Sequence, residues 1–354
     1  MLDPRSPIRG RGATRQPANR FDEIAYEREP DWDDSEEPRP DTQFIPDASK
    51  SIISTNDSPD IPFAASINPY RGCEHGCIYC YARPTHEYLG FSAGIDFETK
   101  IMVKHDAPAL LRMALSSPKW EPKTLAISGV TDAYQPIEKR LRLSRQCLEV
   151  LAEFRNPVGI VTKNRLVTRD IDVLGELARH QAAHVCLTVT TLDVELNRVL
   201  EPRTSLPRQR LDAIAQLSDA GIPTGVMVAP VIPGLNEEEI PAILEAAAKA
   251  GAQTAAYIML RLPLAVAPLF EAWLEAHYPN RKDRVLNRVR SLRGGKENDP
   301  RFGSRMRGEG FHADQIQRLF HVACRKQGLN GKTVPLSTKA FRRIDTSGQL
   351  GLFE

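Results

Sequence analysis

Ala65-Ser66-Ile67-Asn68-Pro69-Tyr70-Arg71-Gly72-Cys73-Glu74-His75-Gly76-Cys77-Ile78-Tyr79-Cys80-Tyr81 puts a short apolar run directly before a glycine-bearing loop with three cysteines. The run at 65–68 reads as a strand, and further strands are predicted at 124–128, 158–162, 185–190, 225–231 and 255–260. Amphipathic segments at 107–116, 143–154, 169–180, 208–220 and 237–250 separate them. Such alternation predicts parallel strands joined by crossover helices. Two helix stops are well marked, by Ala220-Gly221-Ile222-Pro223 and by Ala250-Gly251.

Six strand-helix units are too few to close an eight-stranded barrel, so the expected fold is α/β, an open partial (β/α)6 barrel of the TIM type. A doubly wound open sheet is the competing topology. In the barrel reading, chemistry gathers at the carboxyl ends of the strands. Ser128-Gly129-Val130-Thr131-Asp132, Thr162-Lys163-Asn164, the run 188–191 and Ala229-Pro230 all fall there.

The expected domain organisation is a tail at 1–60, the barrel core at 61–265, a helical and basic extension at 266–330, and a C-terminal tail at 331–354. The first tail carries Arg5, Arg9, Arg11, Arg15 and Arg20. An acidic run through Glu27, Asp31, Asp33, Asp34, Glu36 and Glu37 follows, with frequent proline and little apolar periodicity, a composition that predicts disorder. The extension holds ten Lys or Arg against Asp283, Glu297 and Asp299 between residues 281 and 307, and a closing amphipathic helix is expected at about 312–327. With 41% hydrophobic residues in 354, the chain can bury a substantial core. No apolar stretch approaches the roughly 20 residues of a membrane span, and no secretory leader is apparent, so a cytoplasmic protein is expected.

The formal net charge of +2 identifies no partner. Six cysteines are too few for a disulfide scaffold of this length, and three of them share one loop, which suits metal ligation. At C-x3-C-x2-C spacing, Cys73, Cys77 and Cys80 can wrap one face of a [4Fe-4S] cubane, with Gly72 and Gly76 permitting the turns. One iron then lacks a protein ligand and can chelate the amino and carboxylate groups of a methionine moiety. A zinc site with His75 as fourth ligand, and a non-catalytic, metal-stabilised nucleic-acid-binding module built on it, is the alternative. Cys147, Cys186 and Cys324 fall at apolar positions and are expected in the core.

With Tyr79 as the aromatic residue, the cysteine motif resembles that of the radical S-adenosylmethionine (SAM) superfamily, C-x3-C-x-aromatic-C. Asn68-Pro69-Tyr70-Arg71-Gly72-Cys73, Thr131-Asp132-Ala133-Tyr134-Gln135-Pro136, Thr162-Lys163, Glu201-Pro202-Arg203 and Ala229-Pro230-Val231-Ile232-Pro233-Gly234 resemble the spore photoproduct lyase-related, DNA repair photolyase-like branch, over about 68–263. The resemblance implies a [4Fe-4S] cluster on Cys73, Cys77 and Cys80, and reductive cleavage of SAM to a deoxyadenosyl radical. That radical would abstract hydrogen in lyase-like or other radical chemistry. Tyr79 would neighbour the adenine, Gly129, Thr131 and Asp132 the methionine end, and Lys163 and Thr188 the carboxylate and ribose. An electron donor such as flavodoxin or ferredoxin is implied. Spore photoproduct lyases carry a hydrogen-donating cysteine where this chain has Gly129 or Val130, and Tyr134 or Tyr81 is the candidate radical relay. Nucleic acid is the first candidate substrate, from the resemblance and from the basic segment; a protein or a small metabolite is the alternative.

Overall fold

The computed structural model describes residues 10–22, 41–331 and 335–344. Its strands, in chain order, are β1 Gln43–Pro46, β2 Ile53–Thr55, β3 Ala65–Ile67, β4 Tyr70–Arg71, β5 Lys100–Val103, β6 Leu125–Ile127, β7 Val158–Thr162, β8 Ala183–Thr188, β9 Thr224–Val231 and β10 Thr254–Met259. The main sheet runs β10-β9-β8-β7-β6-β3-β2. Every pairing in it is parallel except that of β2 with β3. From β3 to β10 the strand order never reverses, so there is no switch point of the doubly wound kind. The fold is the open partial barrel.

The crossover helices bury the stripes that their sequences predict. Leu111 and Leu115 face inward from helix Ala107–Ser116, Cys147, Leu148 and Leu151 from Leu143–Phe154, and Val173, Leu174 and Leu177 from Ile171–Arg179. Ile214 and Leu217 do so from Pro207–Asp219, and Ile243, Leu244 and Ala247 from Ile240–Lys249. These three- and four-residue spacings place apolar side chains on one helix face against the sheet. Gly221 ends its helix at φ +76°, a left-handed turn that glycine adopts without strain.

In the extension, helices Val266–His277, Lys282–Ser291, Ser304–Arg307 and Phe311–Lys326 follow β10. The edge of β10 is blunted by Asn330, whose amide group accepts from Ala255 N and donates to Ala255 O. The open seam is tied at the other edge. Arg305 makes a two-pronged ion pair with Asp60, in the turn between β2 and β3, and Gly303 N donates to the same carboxylate.

The stretch expected to be a tail, 1–60, departs from that expectation where it is described. β1 pairs in parallel with β5 in a second sheet that also holds β4, and β2 edges the main sheet. Residues 10–22 form a strap against the cysteine loop. The reason is chemical, since this segment is held by backbone and polar bonds that hydropathy does not register. Arg5, Arg9 and the acidic run from Glu27 to Glu37 lie outside the described residues. Residues 335–344 also pack, with Arg342 N bonded to Phe154 O and the Phe341 ring 6.3 Å from Phe154, at the amino end of β7.

Candidate functional site

β4 delivers the chain into the cysteine loop, and the two glycines are needed there. Gly72 sits at φ +80° and Gly76 at φ +66°; a Cβ at Gly76 would lie 2.6 Å from Glu98 Oε2. Cys73 N donates to Phe97 O, and Cys80 N to Cys77 O. Arg83, fully buried, donates to the carbonyls of Gly76, Cys77, Ala93 and Gly94 and pairs with Glu98. Glu98 in turn accepts from Gly12 N at 3.0 Å and Ala13 N at 2.8 Å, which fastens the strap. The loop is thus shaped entirely by groups other than the thiols.

Those thiols are free, Cys73 and Cys77 buried and Cys80 half-buried. Burial raises the Cys77 and Cys80 thiols, and the neighbouring cysteines raise them further, so binding a cationic centre here requires giving up protons. Among the described residues no three His, Cys, Asp or Glu side chains converge as ligands of a single ion would. Three thiolates that each bind a different corner of a cubane need not converge on one point. His75 is engaged on both sides: Nε2 meets Asn164 Nδ2 at 3.2 Å and Nδ1 lies 3.4 Å from Asp132, close but not aligned as a hydrogen bond. Asn164 Oδ1 already accepts from Leu166 N and Ser205 Oγ, which leaves its amide nitrogen to donate. That arrangement suits a packed histidine better than a fourth zinc ligand. Three free thiols in a prebuilt loop fit the cluster.

The loop lies across the strand ends through one buried carboxylate. Glu201 accepts from Tyr79 OH, from Thr190 Oγ1 at 2.6 Å, from Asn197 Nδ2 at 3.0 Å and from Arg210. Burial would raise its pKa, but Arg210, Lys163 and the hydroxyl donors outweigh that and hold it at about 2. Lys163 Nζ stands 4.0 Å from Glu201 and 5.8 Å from the centre of the Tyr79 ring. Ile78 N to Leu200 O, Arg203 N to His75 O and the Arg203–Glu74 pair at 3.2 Å complete the attachment.

Of the expected contacts, Tyr79 and Lys163 therefore come together beside the cysteines. Gly129 sits at φ +106°, and an added Cβ there would stand in ordinary contact with Phe63 at 3.8 Å. Its carbonyl accepts from Tyr81 OH. Asp132 spends its oxygens inside the protein, on Thr162 Oγ1, Lys163 N and Tyr134 N, and is lowered to about 2 because His75 and these donors outweigh burial. Thr131 Oγ1 is bonded to Tyr70 O, and Thr188 is buried with its carbonyl on Arg210. The two relay candidates separate: Tyr134 is buried with its hydroxyl on Asp170, whereas Tyr81 is 49% exposed beside Cys80.

Glu201, Arg210, Arg83 and Glu98 were absent from the residues expected in the site. The only sequence signal was the Glu201-Pro202-Arg203 motif. In the basic segment Arg288 pairs with Glu237, Arg290 with Glu297, Arg301 with Asp299 and Glu309, and Arg305 with Asp60. A surface cavity of about 450 Å³ lined by Phe44, Glu74, Pro136, Ile137, Lys139 and Arg140 takes no wall from the expected cofactor contacts. No helix among the described residues is long and apolar enough to cross a membrane.

The family model of the Radical SAM superfamily matches residues 67–247. An uncharacterized protein of Mycobacterium tuberculosis is 38% identical over 234 residues, covering 66% of this chain and 68% of that one. An uncharacterized protein of Methanocaldococcus jannaschii is 29% identical over 223 residues, covering 63% and 80%. Among solved structures, spore photoproduct lyase complexed with dinucleoside spore photoproduct superposes with a TM-score of 0.57 at 17% identity, over 81% of this chain and 80% of that one. At that identity the likeness concerns the fold alone.

Proposed function

The chain belongs to the radical SAM superfamily, and from that premise we propose that it is an enzyme whose Cys73, Cys77 and Cys80 hold a [4Fe-4S] cluster with one iron left for SAM. The observation that carries this reading is the set of three free thiols in a loop held by Arg83, Glu98 and Glu201 rather than by the thiols themselves. When bound, the cluster and SAM supply what side chains lack, an electron for cleaving the sulfonium and a deoxyadenosyl radical that takes hydrogen from a substrate.

Glu201 holds Tyr79 by its hydroxyl, so the ring has a fixed position from which to pack the adenine. Lys163 supplies a point charge at the end of β7 for the SAM carboxylate. Gly129, by lacking a side chain, leaves its backbone accessible to the methionine end. Thr131 and Asp132 act one step back, by fixing β6 against β4 and β7. Thr188 serves as a support for Arg210. Burial of the loop under the strap keeps water from the reactive centre.

Nucleic acid remains the first candidate substrate. The dinucleoside in the similarly folded spore photoproduct lyase supports it. The test of the reading is anaerobic reconstitution with iron and sulfide, followed by dithionite in place of the protein reductant and then SAM. Deoxyadenosine release is expected from the wild type and not from the variant with Cys73, Cys77 and Cys80 all changed to alanine. Equal yields from the two proteins would overturn the assignment.

A further inference from the structure

Two residues beyond β10, at the same end of the barrel as the cysteine loop, Arg261 stacks over the Tyr81 ring with its guanidinium carbon 5.4 Å from the ring centre. Among the described residues its Nε is buried without a partner, and its one hydrogen-bond contact is NH1 to Met306 Sδ at 3.8 Å, a weak acceptor. Arg293 is 3% exposed and, among the described residues, donates to the carbonyls of Leu260, Ser304 and Arg305 alone. Arg305 belongs to the same group, but its charge is matched by Asp60. Asp299 and Glu309 lie near enough to Arg293 to favour its charge but are paired with Arg301, and among the described residues neither Arg261 nor Arg293 has an ion-pair partner in contact.

Burying unmatched positive charge is unfavourable unless something else balances it. Burial, and then Arg261, lower Arg293 to about 10 despite the opposing pull of Asp299 and Glu309. In the basic segment Arg288, Arg290 and Arg301 each meet a carboxylate, whereas among the described residues Arg261 and the buried Arg293 do not. Arg261 is linked to this end of the barrel through Tyr81, whose hydroxyl donates to the Gly129 carbonyl, and the neighbouring Val130 is 38% exposed.

We infer that Arg261, with Arg293 behind it, forms an anion subsite at the barrel mouth that takes a phosphoryl group of the substrate. The inference rests on the proposed enzymatic reading, because that reading places the reacting atoms beside Tyr81 and Gly129. A forked guanidinium matches phosphate oxygens in a way that a point charge does not, and two unmatched cations suit a phosphate better than a single carboxylate. The aromatic face of Tyr81 holds the fork in place. The same chemistry is presented by a phosphomonoester or by the diester backbone of an oligonucleotide.

The test is the anaerobic melting temperature of the cluster-loaded protein, at matched ionic strength, with inorganic phosphate or a short single-stranded DNA against chloride. Phosphate is expected to raise the wild-type melting temperature in a saturable way. Arg261→Met, which keeps the stem on Tyr81, should melt no lower than wild type in chloride and lose at least four-fifths of the phosphate-induced rise. Arg261→Lys should retain part of it, and Arg179→Gln, at the foot of the barrel, all of it. A larger rise with DNA at equal phosphate content assigns the group to a diester chain; a response to phosphate alone assigns it to a monoester. An unchanged phosphate response in Arg261→Met, or none in the wild type, overturns the subsite. The SAM-induced change in the cluster's electron paramagnetic resonance spectrum is read in parallel. Its persistence in Arg261→Met is expected, and its loss there with phosphate binding intact would reassign Arg261 to the cofactor. Its absence from the wild type would defeat the enzymatic reading itself.

Discussion

Glu201 carries a full charge in a site with almost no solvent, and the donors around it explain how. Two hydroxyls, an amide and the buried Arg210 satisfy its oxygens, so the desolvation that would raise its pKa is more than offset. Because its folded pKa of about 2 lies below the ordinary value of 4.5, its contribution to stability is complete above that value and is lost as pH falls toward 2. Glu201→Ala should therefore cost about 3–5 kcal/mol near neutral pH, since Arg210 is left buried and unpaired. The difference in urea midpoint between the two proteins should close as pH falls from about 4.5 to 2; a difference independent of pH would contradict the assigned charge. Glu201 was only partly legible beforehand. Its motif stood out, but a sequence does not distinguish a buried carboxylate from a solvated one, and Arg83, Glu98 and Arg210 escaped notice for the same reason. The three cysteines stood out at once, because a C-x3-C-x2-C spacing is legible whatever surrounds it.

The strap at 10–22 teaches the complementary lesson at the scale of an element. Its proline, arginine and small residues give no periodic apolar face, yet Gly12 and Ala13 dock two backbone N–H groups on Glu98, and Asn19 bonds the carbonyls of Glu87 and Phe91. A strap held by backbone bonds to a buried carboxylate is invisible to any reading of hydrophobicity. The crossover helices, by contrast, were legible almost to the residue: 107–116 and 143–154 were expected where helices Ala107–Ser116 and Leu143–Phe154 occur. A Cβ at Gly12 would lie 1.8 Å from the Gly76 carbonyl oxygen, so Gly12→Val must lift the strap from the loop. Trypsin cleavage after Arg15, followed by mass spectrometry on the folded protein, should accelerate at least tenfold in that variant. Cleavage at the wild-type rate would show that the strap's seat on Glu98 does not hold it.

At the scale of the molecule, an uninterrupted strand order turns a list of alternating segments into a barrel with one mouth. Periodicity located the six parallel strands but did not choose between the barrel and the doubly wound sheet, because both use the same alternation; the order β10-β9-β8-β7-β6-β3 decides it. The seam was not legible either, since the Arg305–Asp60 pair joins residues 245 positions apart. The chemistry proposed for the mouth depends on a cluster with one iron free to bind SAM. The most direct test is electron-nuclear double resonance on the reduced, cluster-loaded protein, with SAM isotopically labelled at its amino nitrogen and carboxylate oxygen. Hyperfine coupling from both labels to the cluster is the predicted result. Absence of both couplings, with a protein nitrogen or oxygen found on that iron instead, would contradict the account.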